Sequence, residues 1–117
     1  MNLYDLDEQL LNVWVAKAEG HMIATLKHGD VVTGYSLYFY SGDTPPIPKY
    51  TTDARLADPI IEREGITILH LPTFGKDYAW RASHPNMGGS RGGPNKLTAS
   101  MRAFVDSKYG DELPNEV

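Results

Sequence analysis

The stretch that decides the fold is "ITILHLPTFGKDYAWRASH", Ile66 to His84. ITILHLP and YAWRASH are strand-like runs, and TFGKD between them has the length and the glycine of a hairpin loop. Two antiparallel strands are predicted here. On the C-terminal side the chain continues as "PNMGGSRGGPNKLTASMRAFV", Pro85 to Val105. Asn95 is an N-cap candidate, and Leu97, Met101, Phe104 and Val105 form an apolar stripe at helical spacing. Gly110, just after Lys108 and Tyr109, ends this helix. On the N-terminal side, "ADPIIEREG" offers Asp58 as an N-cap, Pro59 at the first helical position and Gly65 as a stop, which predicts one short helical turn. Residues 41–58, with three prolines in TPPIP, predict an ordered surface loop rather than a second domain.

Further towards the N-terminus, "HMIATLKH" alternates, Gly29-Asp30 is a turn signal, and "VVTGYSLYFYS" is rich in β-branched and aromatic residues. This predicts a first hairpin, with Tyr35, Leu37 and Phe39 on one face and Tyr38 and Tyr40 on the other. The first helix is predicted from Asp5 as N-cap, with Glu8 three residues later, through Leu6, Leu10, Val13 and Trp14 to a stop at Gly20. The order is helix, hairpin, loop, hairpin, helix. The fold class expected is α+β: a two-layer sandwich in which N- and C-terminal helices cover one face of a four-stranded antiparallel sheet. Residues 1–117 are expected to form one such domain, with an acidic tail, 111–117, that frays.

A chain of 117 residues with 41% apolar and 22% charged residues can bury about two-thirds of its unfolded surface in one core. No apolar run approaches the roughly 18 residues of a membrane span. The start, "MNLYDLDEQL", lacks a basic region, so a secretory signal is not expected and the cytoplasm is the expected site of action. There is no cysteine, which removes disulfides, thiolate nucleophiles and cysteine-containing metal sites. The net charge of −4 is unevenly spread: residues 76–108 hold six basic and two acidic groups, while residues 1–75 hold five basic and ten acidic. The glycine-rich stretch lies in that basic segment.

The candidate chemistry begins there. Main-chain amides freed by Gly88 and Gly89, the Arg91 guanidinium, Asn95 and Lys96 at a helix start, and Arg81 from the neighbouring strand could converge on a phosphate. The competing reading is a mobile polar loop whose glycines and Pro94 only let the chain turn. Neither G-x-G-x-x-G nor a Walker pattern is present. Tyr38, Tyr40 and Trp80 could stack bases or line a subunit contact, and a strand with aromatics on both faces suggests a homo-oligomer. His21 and His28 have opposite parity on one strand, whereas His70 and His84 sit near the ends of adjacent strands and could meet; no acid stands at a matching spacing, so no metal site is predicted. Glu62 and Glu64 read as a solvated face above Ile60 and Ile61, and Arg102 as a surface ion-pair partner. No serine has a nucleophile-elbow or triad context.

Several segments together carry a family resemblance. "VWVAKAEG" (13–20), "TTDARLADPIIEREGI" (51–66), the tryptophan of "YAWRAS" (78–83) and "GGPNKLTASMRAFVDSKYGDE" (92–112) resemble the NinX family of lambdoid phages. Residues 21–50 show no such likeness. The resemblance implies a phage gene expressed early in infection among small accessory genes, and it carries no catalytic residue across. Where the family has Thr-Pro after Gly-Pro, this chain has Asn95-Lys96, and a cation at that position opposes the helix dipole by about 0.3–1 kcal/mol. The expected function is that of a small cytoplasmic accessory protein, not an enzyme and without cofactor, which binds a host or phage protein or another copy of itself. A binder of a nucleotide or other phosphorylated ligand is the alternative. A nucleic-acid binder comes third, disfavoured by the overall acidity.

Overall fold

The computed structural model describes residues 1–117. Its regular elements are α1 (Glu8–Ala18), β1 (Met22–His28), β2 (Val31–Tyr38), α2 (Ala54–Glu64), β3 (Thr67–His70), β4 (Trp80–Ser83), β5 (Arg91–Gly93) and α3 (Lys96–Tyr109). The α+β class stands, but the strands form two small antiparallel sheets, β1-β2 and β3-β4-β5, instead of one four-stranded sheet. The cause is β5. Arg91, Gly92 and Gly93 of the glycine-rich stretch pair with Ala82, Arg81 and Trp80, so the second edge of β4 is filled and the first hairpin pairs only with itself.

α1 starts two residues later than expected. Asn2 caps a 3₁₀ turn over Leu3–Asp5, and Leu6 is extended, so Asp7 becomes the N-cap and accepts from the Leu10 N–H at 2.8 Å. The helix is not simply amphipathic, because Leu11 through Ala16 are all buried. It ends in a Schellman arrangement, with the Gly20 and His21 amides donating to the Lys17 and Ala16 carbonyls and Gly20 at φ 95°. The expected single turn before β3 is instead an eleven-residue helix, α2, capped by Asp53 and closed by left-handed Gly65. Pro59 lies inside it, on the exposed side, where the carbonyl it leaves without a donor can be hydrated.

The second hairpin forms where its sequence predicts, Thr67 opposite Ser83 and His70 opposite Trp80, but its connection spans residues 71–79 rather than TFGKD alone and holds a 3₁₀ turn at Pro72–Phe74. The first turns at Gly29-Asp30, with Met22 opposite Tyr38 and a register shift after Leu26. α3 is the centre of the packing. It rests on β4 and β5 and also touches α1 and α2, burying Ala99, Met101, Ala103, Phe104 and Val105. Trp14, Val15, Leu11, Leu3 and Ala82 complete a single apolar cluster with them. In the acidic tail, Leu113 is buried and exchanges two backbone bonds with Met1, while Asn2 bridges to Glu112. Residues 25–33, the outer half of the first hairpin, are exposed throughout, and the molecule measures 45 × 27 × 23 Å. No helix is long and apolar enough to cross a membrane.

Candidate functional site

The glycine-rich stretch resolves into a loop and a strand. Gly88 and Gly89 are exposed, Gly89 at φ 72°. Gly92 and Gly93 are buried in β5 and are glycine because their neighbours leave no room. A Cβ on Gly93 would stand 2.7 Å from the Ala99 nitrogen and 3.1 Å from its Cα; one on Gly92 would meet the Arg81 guanidinium and lie 3.1 Å from the Tyr78 Cβ. Outside the sheet, the Gly92 N–H donates to the Tyr4 hydroxyl and the Gly92 carbonyl accepts from Arg102, each at 2.8 Å.

The structure does bring Arg81 and Arg91 together, on a protein carbonyl. Arg81 Nη2 and Arg91 Nη1 both donate to the Ser90 oxygen, at 3.1 and 2.9 Å. Arg81 Nε also holds the Ser90 hydroxyl at 3.0 Å, and Arg91 Nε pairs with the largely buried Asp106 carboxylate. Asn95 Oδ1 caps α3 by accepting from the Thr98 N–H at 2.9 Å, and Lys96 is exposed. Arg102, expected as a surface ion-pair partner, is half-buried and stacked on the Tyr4 ring with no carboxylate in ion-pair range; burial holds its guanidinium below the usual arginine range. All three arginines of the basic segment are thus taken up by the fold, and its lysines, Lys76, Lys96 and Lys108, remain exposed.

His70 and His84 do not meet, because an antiparallel register puts them at opposite ends of the β3–β4 pair. His70 stacks on Trp80 at 4.4 Å, and the buried His84 bonds Glu64. The Asn86 N–H donates to His84 Nδ1 at 3.0 Å, so the proton sits on Nε2 and is donated to Glu64 Oε1, also at 3.0 Å. Glu64 is therefore no solvated face. It joins His84 and Arg63, which hold its carboxyl below the usual glutamate range, and Arg63 also forks onto Glu19. No cluster of three or more histidine or acidic groups could hold a metal.

The candidate aromatics separate. Trp80 belongs to the three-stranded sheet and is partly buried against the core, while Tyr38 and Tyr40 belong to the first hairpin and its exit. That hairpin carries most of the exposed large apolar side chains: Met22, Leu26, Val31, Val32, Tyr38, Phe39 and Tyr40, with Val31 at 66% and Tyr40 at 94% exposure.

At the base of the same hairpin lies a cleft of about 570 Å³, lined by Glu8, Gln9 and Asn12 of α1, Tyr35 of β2, and Pro46, Ile47, Lys49 and Thr52 of the long loop. The loop is fixed in place. The Leu37 N–H donates to the Pro45 carbonyl, the Thr51 N–H to Asn12 Oδ1 at 3.0 Å, and the Thr51 hydroxyl to Glu8 Oε1 at 2.9 Å. Tyr50 is buried beneath it, and burial, with a smaller push from Glu19, raises its hydroxyl to about 12.

With that geometry in hand, the family follows from the whole chain. A family model described as "Bacteriophage P22, NinX" matches residues 2–108. The chain belongs to the NinX family. The match runs through residues 21–50, where no individual segment resembled NinX, so the exposed hairpin and the loop over the cleft lie inside the family's extent. No curated protein matches the chain. The departure from the NinX pattern at Asn95-Lys96 is structurally mild, since Asn95 caps α3 as threonine would. The cleft residues of this NinX chain escaped sequence reading because they come from three separated segments. The one available signal was Asn12, a carboxamide amid six consecutive buried positions of α1.

Proposed function

We propose that this NinX-family chain is a cytoplasmic phage accessory protein that acts by binding a protein of the host or the phage, without chemistry of its own. The observation that supports this reading is the first hairpin. Seven large apolar side chains are exposed on it and its exit, Leu26, Val31 and Val32 towards the Gly29-Asp30 tip and Met22, Tyr38, Phe39 and Tyr40 at the opposite end. Apolar side chains gathered on one projecting element mark an interaction surface more than scattered ones do. The nucleophilic groups nearest to suspicion are engaged locally: the Ser100 hydroxyl with the Lys96 carbonyl at 2.7 Å, Ser107 with Phe104 at 2.6 Å, and both His84 nitrogens in hydrogen bonds. The nucleic-acid reading loses support, because the arginines of the basic segment face protein groups.

The test compares the tagged wild-type chain with a Val31→Asp/Tyr40→Ser variant in infected cells. Both positions are exposed, so the fold is expected to be kept. Wild type should retain a host or phage protein, and the variant should lose it by roughly tenfold or more. Equal retention by both, or none by either, would overturn the reading. Light scattering of the purified chain reports whether a second copy is the occupant instead.

A further inference from the structure

We propose that the cleft between α1, β2 and the 46–52 loop is a binding site for a nucleotide with a single phosphate and an amino-bearing base. This site borrows Tyr35 from the hairpin but none of its seven exposed apolar side chains. Its floor is Asn12, only 7% exposed. Because Asn12 Oδ1 is occupied by the Thr51 N–H, the orientation of the carboxamide is set, and its NH₂ has no protein acceptor. Its Nδ2 opens onto the cleft, where water or a ligand atom can accept from it.

The groups around it define the ligand. Glu8 keeps one oxygen on Thr51 and offers the other, and Gln9 adds a second carboxamide. Side-chain amides present a donor and an acceptor side by side, matching the edge of a heteroaromatic base, and a carboxylate accepts from an exocyclic amine. Tyr35, Ile47 and Pro46 supply an aromatic and apolar lining for the faces of a base, and 570 Å³ lies within the roughly 300–1,000 Å³ of small-ligand clefts. Lys49 is exposed on the same lining with no carboxylate in ion-pair range, a partner for one phosphate. Glu8 and Lys49 cancel in charge, so a polyphosphate gains one attraction and incurs carboxylate repulsion for its further charges. The phosphate chemistry sought in the glycine-rich stretch thus has a better-furnished home here, where the cation is unpaired.

The experiment is calorimetric titration and thermal shift of the full chain with AMP, cyclic AMP, CMP, GMP, UMP, adenosine and ATP. At least one monophosphate with an amino-bearing base should bind and raise Tm, more tightly than UMP, adenosine or ATP. Asn12→Asp keeps the acceptor that Thr51 needs but removes both donors, and Lys49→Ala removes the cation from an exposed position. Each should weaken that nucleotide by roughly tenfold or more, while Lys76→Ala, on the loop between β3 and β4, should not. Circular dichroism of Asn12→Asp checks that the fold is kept. No Tm change with any of these at about 1 mM, ATP binding as tightly as the monophosphates, or wild-type affinity in both cleft variants would each overturn the assignment.

Discussion

At the scale of single residues, the clearest constraint is Gly93. A methyl group there would press on the backbone of Ala99, which is helical and cannot move without shifting α3 as a whole. Gly93→Ala should therefore destabilise the protein by about 1–3 kcal/mol, read from a lower urea midpoint at unchanged slope. A second residue-scale effect is electrostatic. His84 foremost, and then Arg63, stabilise the charged form of Glu64, so its folded-state pKa lies below the unfolded one. A depressed acid contributes stability that is fully present above the unfolded value, about 4.3, and lost as pH falls through the folded value. Between about pH 5 and pH 3 the wild-type Tm should fall more steeply than that of Glu64→Gln, which keeps an acceptor for His84. Parallel curves would show that the triad of Glu64, His84 and Arg63 contributes nothing to acid stability. Asp53 is also held low by Arg55, and it cancels in this comparison because both chains carry it.

At the scale of elements, α3 offers the most direct gain. Lys96 is its first helical residue, where an N–H has no intrahelical acceptor, and Asn95 before it is extended at φ −148° and ψ 168°, a conformation proline tolerates in its predecessor. Lys96→Pro should stabilise by about 0.4–1 kcal/mol, by restricting the unfolded chain and removing a cation from the positive end of the helix, measured as a higher denaturant midpoint. That prediction rests on caps, and caps were the legible part of this sequence: Asn95, Gly65, Gly20 and Gly110 all terminate helices, and Gly29-Asp30 sets the first hairpin. Elements without side-chain pattern were not legible. β5 is Arg-Gly-Gly, three residues in which no alternation can be seen, and its pairing is dictated by the free edge of β4. Asp5 and Asp7 satisfy the same capping chemistry, and the choice between them follows from the burial of Leu3 and Leu6 in the core. Pro59 reads as a helix start, but α2 passes through it because that face is open to solvent.

At the scale of the whole molecule, what a local reading misses is long-range placement. Arg91 is visible as a cation in a glycine-rich setting, yet its partner, Asp106, becomes a neighbour only when α3 folds back over β5. The cleft is the same problem enlarged, since Thr51 stands 39 positions from Asn12 and 43 from Glu8. Only the fold makes their hydrogen bonds the wall of one cavity. The reciprocal bonds between Met1 and Leu113 bring the start of the chain against its last buried residue, while Gly29-Asp30 stands exposed on a turn that supports nothing else. Those two facts separate where the chain is held from where it can be interrupted: a small domain inserted at Gly29-Asp30 would leave every contact of the core in place. Such an insertion would stand at the tip of the apolar hairpin, so a reporter placed there would sit beside whatever that tip touches.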